Sequence, residues 1–144
     1  MEFPKLKNPF ILAPLEEVSG LPFRLLCRKY GCSLAYTEMA SSHGISRNNP
    51  STIKLLSSCP EDTPLGMQLC GQDTKVLLMA SLKLQKSCQL IDINMGCPGP
   101  NILKQGAGAA LLKRKAKIKE IISTLSQNLN IPVTAKIRLG FAKS

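Results

Sequence analysis

At 144 residues and 44% hydrophobic content, the chain is long enough to close one domain around one core and too apolar to be a disordered tail. Its net charge of +10 is lopsided: from Asn101 onward nine Lys or Arg stand against Glu120 alone, so that stretch carries eight of the ten net charges. Such a segment suits a polyanionic partner such as nucleic acid, or a solvated helix face bearing Lys113, Arg114, Lys115, Lys117 and Lys119; with no Trp, two Tyr and four Phe, a single-strand binder built on aromatic platforms is disfavoured.

The opening MEFPKLKNPF has charges and prolines where a secretory leader needs an apolar run, and no later run approaches membrane-spanning length, so a cytosolic protein with no membrane partner is expected. Six cysteines lie in ordinary core-forming sequence. No CxxC pair is present and His43 is the only histidine, so free thiols and no metal site are expected.

In chain order, residues 9–14 (PFILAP) read as a short buried strand closed by proline, followed by a loop and a helix near residues 21–30 that Gly31 can end. Residues 32–39 (CSLAYTEM) read as a second strand with a polar finish at Thr37 and Glu38, and His43 follows in a loop. A short helical piece is expected around residues 53–56, then a third strand over residues 64–69 (PLGMQL). Asp73 can cap a helix running to about Lys86, with Val76, Leu77, Ala80 and Leu84 on one face.

A fourth strand, LIDIN, stops at Asn94 and breaks into a loop where Gly96, Cys97, Pro98, Gly99 and Pro100 are expected neither to continue the strand nor to open a helix smoothly. A brief helix near residues 109–113, a longer one over residues 115–128 and a fifth strand over residues 132–138 (PVTAKIR) complete the pattern. The order βαβαβαβαβ, with apolar strands and crossover-length connections, defines an α/β chain with a parallel sheet; an open doubly wound sheet and a (β/α) barrel both fit. The GAGA at residues 106–109 follows a loop after the fourth strand and is no dinucleotide fingerprint.

Polar residues collect at the strand carboxyl ends: Glu38, Gln68, Asn94 with Cys97, and Lys136 with Arg138. Free cysteine usually behaves as a small hydrophobe, and the other five fit that description; Cys97 differs by sitting in a built loop at the end of a buried strand. Lys136 and Arg138 alternate so as to face one side of the fifth strand, where they need an anionic or electron-rich ligand, or Asp92 or Glu38 as ion partners.

APLEEVSGLPFR at residues 13–24, YTEM at 36–39, MQLCG at 67–71, DINMGCP at 92–98, GAGAALL at 106–112 and VTAKIRLG at 133–140 together resemble the amino-terminal part of the tRNA-dihydrouridine synthases, over nearly the whole chain. The resemblance implies a partial (β/α)8 TIM barrel: residues 1–144 would be the amino-terminal portion of an FMN-binding barrel domain, about five βα units with the carboxyl-terminal strands missing. It further implies reduction of the C5–C6 bond of selected tRNA uridines, with NADPH as electron source.

By similarity, Cys97 would be the general acid that protonates C5, a task suited to a thiol near the cysteine reference pKa of about 8.5, which is mostly protonated at neutral pH. Pro14, Leu15, Gln68 and Lys136 would hold the flavin, and Asn94 and Arg138 the uracil. The sequence has APL where the family has APM, a mild change. Strands up to the fifth are not expected to act alone, so the enzyme reading requires a complementing carboxyl-terminal fragment or a longer protein of which this sequence is a part; a non-catalytic remnant or an RNA-binding half-barrel is the alternative.

Overall fold

A computed structural model describes residues 2–141. Six strands, β1 (Ile11–Leu12), β2 (Leu34–Tyr36), β3 (Ala40–Ser41), β4 (Leu65–Cys70), β5 (Leu90–Met95) and β6 (Val133–Ile137), form one sheet in which all pairings are parallel. The order is β1-β2-β4-β5-β6, with β3 paired to β4 beyond the end of β2. The sheet curls into a half-barrel, which decides between the two architectures that the sequence pattern left open.

Helices α1 (Leu21–Lys29), α2 (Ser42–Ser46), α3 (Pro50–Lys54), α4 (Thr74–Leu84), α5 (Pro100–Lys104) and α6 (Lys115–Asn128), with a 3-10 helix at Gly108–Lys113, make the connections. Each parallel pairing requires a crossover, so the helices return antiparallel to the strands and start at the strands' carboxyl ends. Asp73 caps α4 by accepting from the N–H groups of Lys75 and Val76, and Gly31 follows α1 with φ of +91°, both as the sequence reading expects.

Strand alternation sorts the residues. Leu65, Met67 and Leu69 of β4 and Ile91, Ile93 and Met95 of β5 pack outward against Leu77 and Ala80 of α4 and Ile121 and Leu125 of α6, forming the core. The opposite, concave face carries Gly66, Gln68, Asp92 and Asn94. Gly66 lies under the ring of Tyr36, where a Cβ would sit 2.4 Å from ring carbons.

Four details depart from the sequence reading. The strand expected over residues 32–39 shortens to β2, residues 34–36, and β3 at residues 40–41 lies beyond it; between them the Thr37 hydroxyl accepts the Gln68 N–H at 3.2 Å. His43 lies in α2, which Ser41 caps through the Gly44 N–H, instead of in a loop. Pro100 opens α5 at its first turn, where a missing N–H costs nothing. The fourth strand continues one residue past Asn94, to Met95.

One buried ion pair ties the loop after β1 to the segment before β4. Arg24 is fully buried; its Nε donates to Asp62 at 2.8 Å, Nη1 to the Ser19 carbonyl at 2.6 Å and Nη2 to the Ser57 carbonyl at 2.6 Å. Arg28 adds a longer contact to Asp62 at 3.3 Å. Removing Arg24 leaves the buried Asp62 with only the longer Arg28 contact and frees two loop carbonyls, so Arg24→Met should cost about 3–5 kcal/mol in chemical denaturation. A loss below about 1 kcal/mol, the range of exposed pairs, would show that the pair is not structurally required.

Candidate active site

The parallel register aligns two polar rows across the concave face. Gln68 pairs with Asp92 and Asp92 with Thr134 in one row; Asn94 pairs with Lys136 one step nearer the carboxyl ends. Thr134 Oγ1 donates to Asp92 Oδ1 at 2.6 Å, and Gln68 Nε2 donates to Asp92 Oδ2 at 2.6 Å. Asn94 Nδ2 then donates to Gln68 Oε1 at 3.0 Å, and Asn94 Oδ1 accepts the N–H groups of Gly96 at 3.2 Å and Cys97 at 2.9 Å. The chain runs unbroken from β6 to the Cys97 loop.

Asp92 was expected, if anything, as an ion partner of the cations. Its hydrogen-bond partners are instead an amide and a hydroxyl. Burial raises its carboxyl above the ordinary aspartate value, opposed by the hydrogen bonds from Gln68 and Thr134 and by the nearby charge of Lys136. Glu38, the other suggested partner, accepts the Glu17 N–H at 2.7 Å. Among the described residues no ion pair reaches Lys136 or Arg138, and both are exposed because β6 is an outer strand with no neighbour beyond it.

Cys97 is held from two sides. Its N–H is bound by Asn94, and its carbonyl accepts the Ala109 N–H at 3.0 Å. Gly108, at φ +57°, lies against it so closely that a Cβ there would come within 2.6 Å of the Cys97 carbonyl oxygen. The GAGA run thus buttresses the cysteine loop, a role that spacing could not reveal. The half-buried thiol lies over Gly99. All six cysteines are unpaired thiols; burial first, and then Cys97, push the neighbouring Cys70 up to about 11.

Pro14 and Lys136 line one cleft of about 230 Å³ on the concave face, together with Ala13, Tyr36, Asp92 and Thr134; Cys97 is not among its lining residues. Leu15 lies beside Pro14, its N–H donating to Ser19 Oγ and its carbonyl accepting from the same hydroxyl. Since Arg24 grips the Ser19 carbonyl, the buried ion pair fixes this loop. Gln68, Asn94 and Cys97 therefore form one connected group and Pro14 and Lys136 share another space beside it, whereas Arg138 lies past the end of β6 with no hydrogen bond among the described residues.

Arg24, Ser19, Thr134 and Gly108 were not singled out from the sequence. Thr134 could have been found, because it shares a strand face with Lys136, two residues on. His43 lines a separate pocket of about 320 Å³ with Cys70, Asp73 and Gln105. Among the described residues no cluster of His, Cys, Asp or Glu could hold a metal ion, and no helix is long and apolar enough to cross a membrane.

The hydrogen-bond inventory limits what the site can bind. Gln68 and Asn94 each have one N–H left, while both Asn94 Oδ1 acceptor positions are used. With the Lys136 ammonium, the group offers donors and a cation beside the Asp92 carboxylate, each of whose oxygens already accepts one hydrogen bond. A planar ligand with carbonyls along one edge fits that set, and a flavin has such an edge.

Compared with known proteins, the chain matches the family model described as dihydrouridine synthase (Dus) over residues 11–144. It is 37% identical over 137 residues to tRNA-dihydrouridine synthase B of Pseudomonas aeruginosa, covering 94% of this chain and 41% of that protein. It is 36% identical over 132 residues to tRNA-dihydrouridine synthase B of Xanthomonas axonopodis pv. citri, covering 91% of this chain and 40% of that protein. With tRNA-dihydrouridine(16/17) synthase, NAD(P)(+), of Saccharomyces cerevisiae the identity is 38% over 144 residues, covering 95% of this chain and 33% of that protein. The chain thus spans less than half the length of each of these relatives. The model match over nearly its whole length, and identities of this size, mean that the chain belongs to the dihydrouridine synthase family.

Proposed function

We propose that this chain is the amino-terminal part of the catalytic barrel of an enzyme that reduces uridine in tRNA to 5,6-dihydrouridine, with FMN as its flavin and NADPH as electron source. The observation that carries this reading is the Gln68–Asn94–Cys97 hydrogen-bond chain beside Lys136. It holds the backbone of the Cys97 loop at the end of β5, next to the strand β6 that carries Lys136, at the end of the sheet where barrel enzymes place their chemistry.

In this reading bound FMN would supply the hydride that saturates C6. Cys97 gives the proton to C5, so that one hydride and one proton together saturate the double bond. Gln68, through its spare N–H, and Lys136, through its charge, would hold the carbonyl-bearing edge of the flavin. Pro14 and Leu15 support the ring through the backbone held by Ser19. Asn94 and Arg138 donate to the uracil carbonyls. A nucleotide extruded from its stack would reach this surface, as in other enzymes that act on a base.

The charge layout supports an RNA partner and suggests its side of approach. Loops after β1 and β2 carry Glu16, Glu17 and Glu38, whereas the segments after β5 carry Lys104, Lys113 and Lys115 near the start of α6, at the same end of the sheet. Arg114 is already engaged, donating to Gln72 and to the Gly106 carbonyl, and Lys117 pairs with Glu120. That same layout is what would favour the alternative reading of an RNA-binding half-barrel without redox chemistry.

Purified protein should show the visible absorbance of FMN, or regain it on adding FMN; a colourless preparation that FMN cannot restore would favour the non-redox reading. Cys97→Ala should keep whatever flavin binds and lower dihydrouridine formation by about 10²–10⁴-fold, the usual worth of a positioned general acid. Undiminished product would remove Cys97 from that role. Lys113→Gln with Lys115→Gln should weaken tRNA binding and flatten the salt dependence of affinity by about one unit of slope for each phosphate no longer neutralised, while Lys29→Gln at the far end of α1 should not. Equal effects from both sets would show that the charge acts without a preferred face.

A further inference from the structure

We infer that Asp92 is a positioning residue: through Gln68 and Asn94 it sets the amide polarity that holds the Gly96–Cys97 loop in place. This goes beyond assigning Cys97 a role and rests on the proposed function only for what the thiol does.

The argument is one of donors and acceptors. Asp92 Oδ2 lies 2.6 Å from the Gln68 amide, so the Gln68 atom facing it must be the NH2 group; an oxygen there would set two acceptors against each other. That choice turns Gln68 Oε1 toward Asn94, which must then present its own NH2. Asn94 Oδ1 is left facing the two backbone N–H groups that fix the loop, at 3.2 and 2.9 Å. Reversing either amide would put like against like at both of its ends. The Asp92 carboxylate at one end and the two loop N–H groups at the other therefore demand the same polarity, and the two amides couple them.

Burial makes the arrangement consequential. Gln68, Asp92 and Asn94 are 1%, 3% and 8% exposed, so water cannot substitute freely for a missing partner.

The test is amide hydrogen exchange on the isotope-labelled 144-residue chain. Asp92→Ala should speed exchange at Gly96 and Cys97 by about tenfold, the scale of one broken hydrogen bond, while Ile121 and Leu125 of α6 keep their wild-type rates. Asp92→Asn should restore both loop amides to within about threefold of wild type, because its oxygen can accept from Gln68 while its NH2 donates to the Thr134 hydroxyl. Unchanged exchange at Cys97, an equal rise at Leu125, or failure of the Asn variant to rescue would each overturn the inference. Should Asp92→Ala not fold, Gln68→Met is read in the same way, since it cuts the same chain one link later. These readouts need neither flavin nor RNA, so failure of the proposed reaction and failure of the positioning role give different results.

Discussion

Register across β4, β5 and β6 is the constraint on which the site depends. In parallel strands a slip of one residue on β4 would carry Gln68 to the helix-covered face and turn Met67 inward; on β5 it would do the same to Asp92 and Asn94 and to Ile91 and Ile93, and on β6 it would take Thr134 and Lys136 out of the polar rows. The apolar set holds the register: Leu65, Met67, Leu69, Ile91, Ile93 and Met95 are all buried against α4 and α6. Burying such a side chain is worth about 1.5–3 kcal/mol, so shifting even one strand forfeits several at once. The polar rows are positioned by the hydrophobic face behind them.

The loop that bears Cys97 shows the same economy. A strand end followed by Gly, Cys, Pro, Gly and Pro has few backbone partners of its own, and it is anchored by one carboxamide in front and by the Ala109 N–H behind. Gly108 allows the close approach on the second side, and its left-handed φ of +57° disfavours larger residues independently of the space. On the far side of the half-barrel, Arg24 does for the Pro14–Leu15 loop what Asn94 does for Cys97. A buried side chain binds a carbonyl of the loop, and the loop's own Ser19 hydroxyl then holds Leu15.

Much of this was legible in the residues. Alternation and crossover-length spacing gave the parallel strands, and Asp73 and Gly31 marked helix ends by chemistry that acts locally. What escaped depends on partners distant in sequence. The strand read over CSLAYTEM stops at Tyr36, next to Thr37, whose hydroxyl meets Gln68, 31 residues on, and nothing in CSLAYTEM announces it. Arg24 was not singled out within the first helix and proved to be the buried residue of α1, since its partners lie at Ser57 and Asp62. Pro100 was read as a breaker, yet at the first turn of a helix proline is well placed. Lys136 and Arg138 looked costly to bury, and the outer position of β6 leaves both in solvent.

A donor-only recognition surface also bears on base choice. Uracil offers a carbonyl at C4 where cytosine offers an amine. If Asn94 and Arg138 hold the base as proposed, every group facing it presents N–H, because Asn94 Oδ1 is occupied by Gly96 and Cys97. A carbonyl completes such a pocket; an amine sets donor against donor and leaves a buried N–H unmatched, at about 1–3 kcal/mol for each group. Discrimination at C4 would then follow from these donors, because the bonds that anchor the cysteine loop have already used the Asn94 acceptor that an amine there would require.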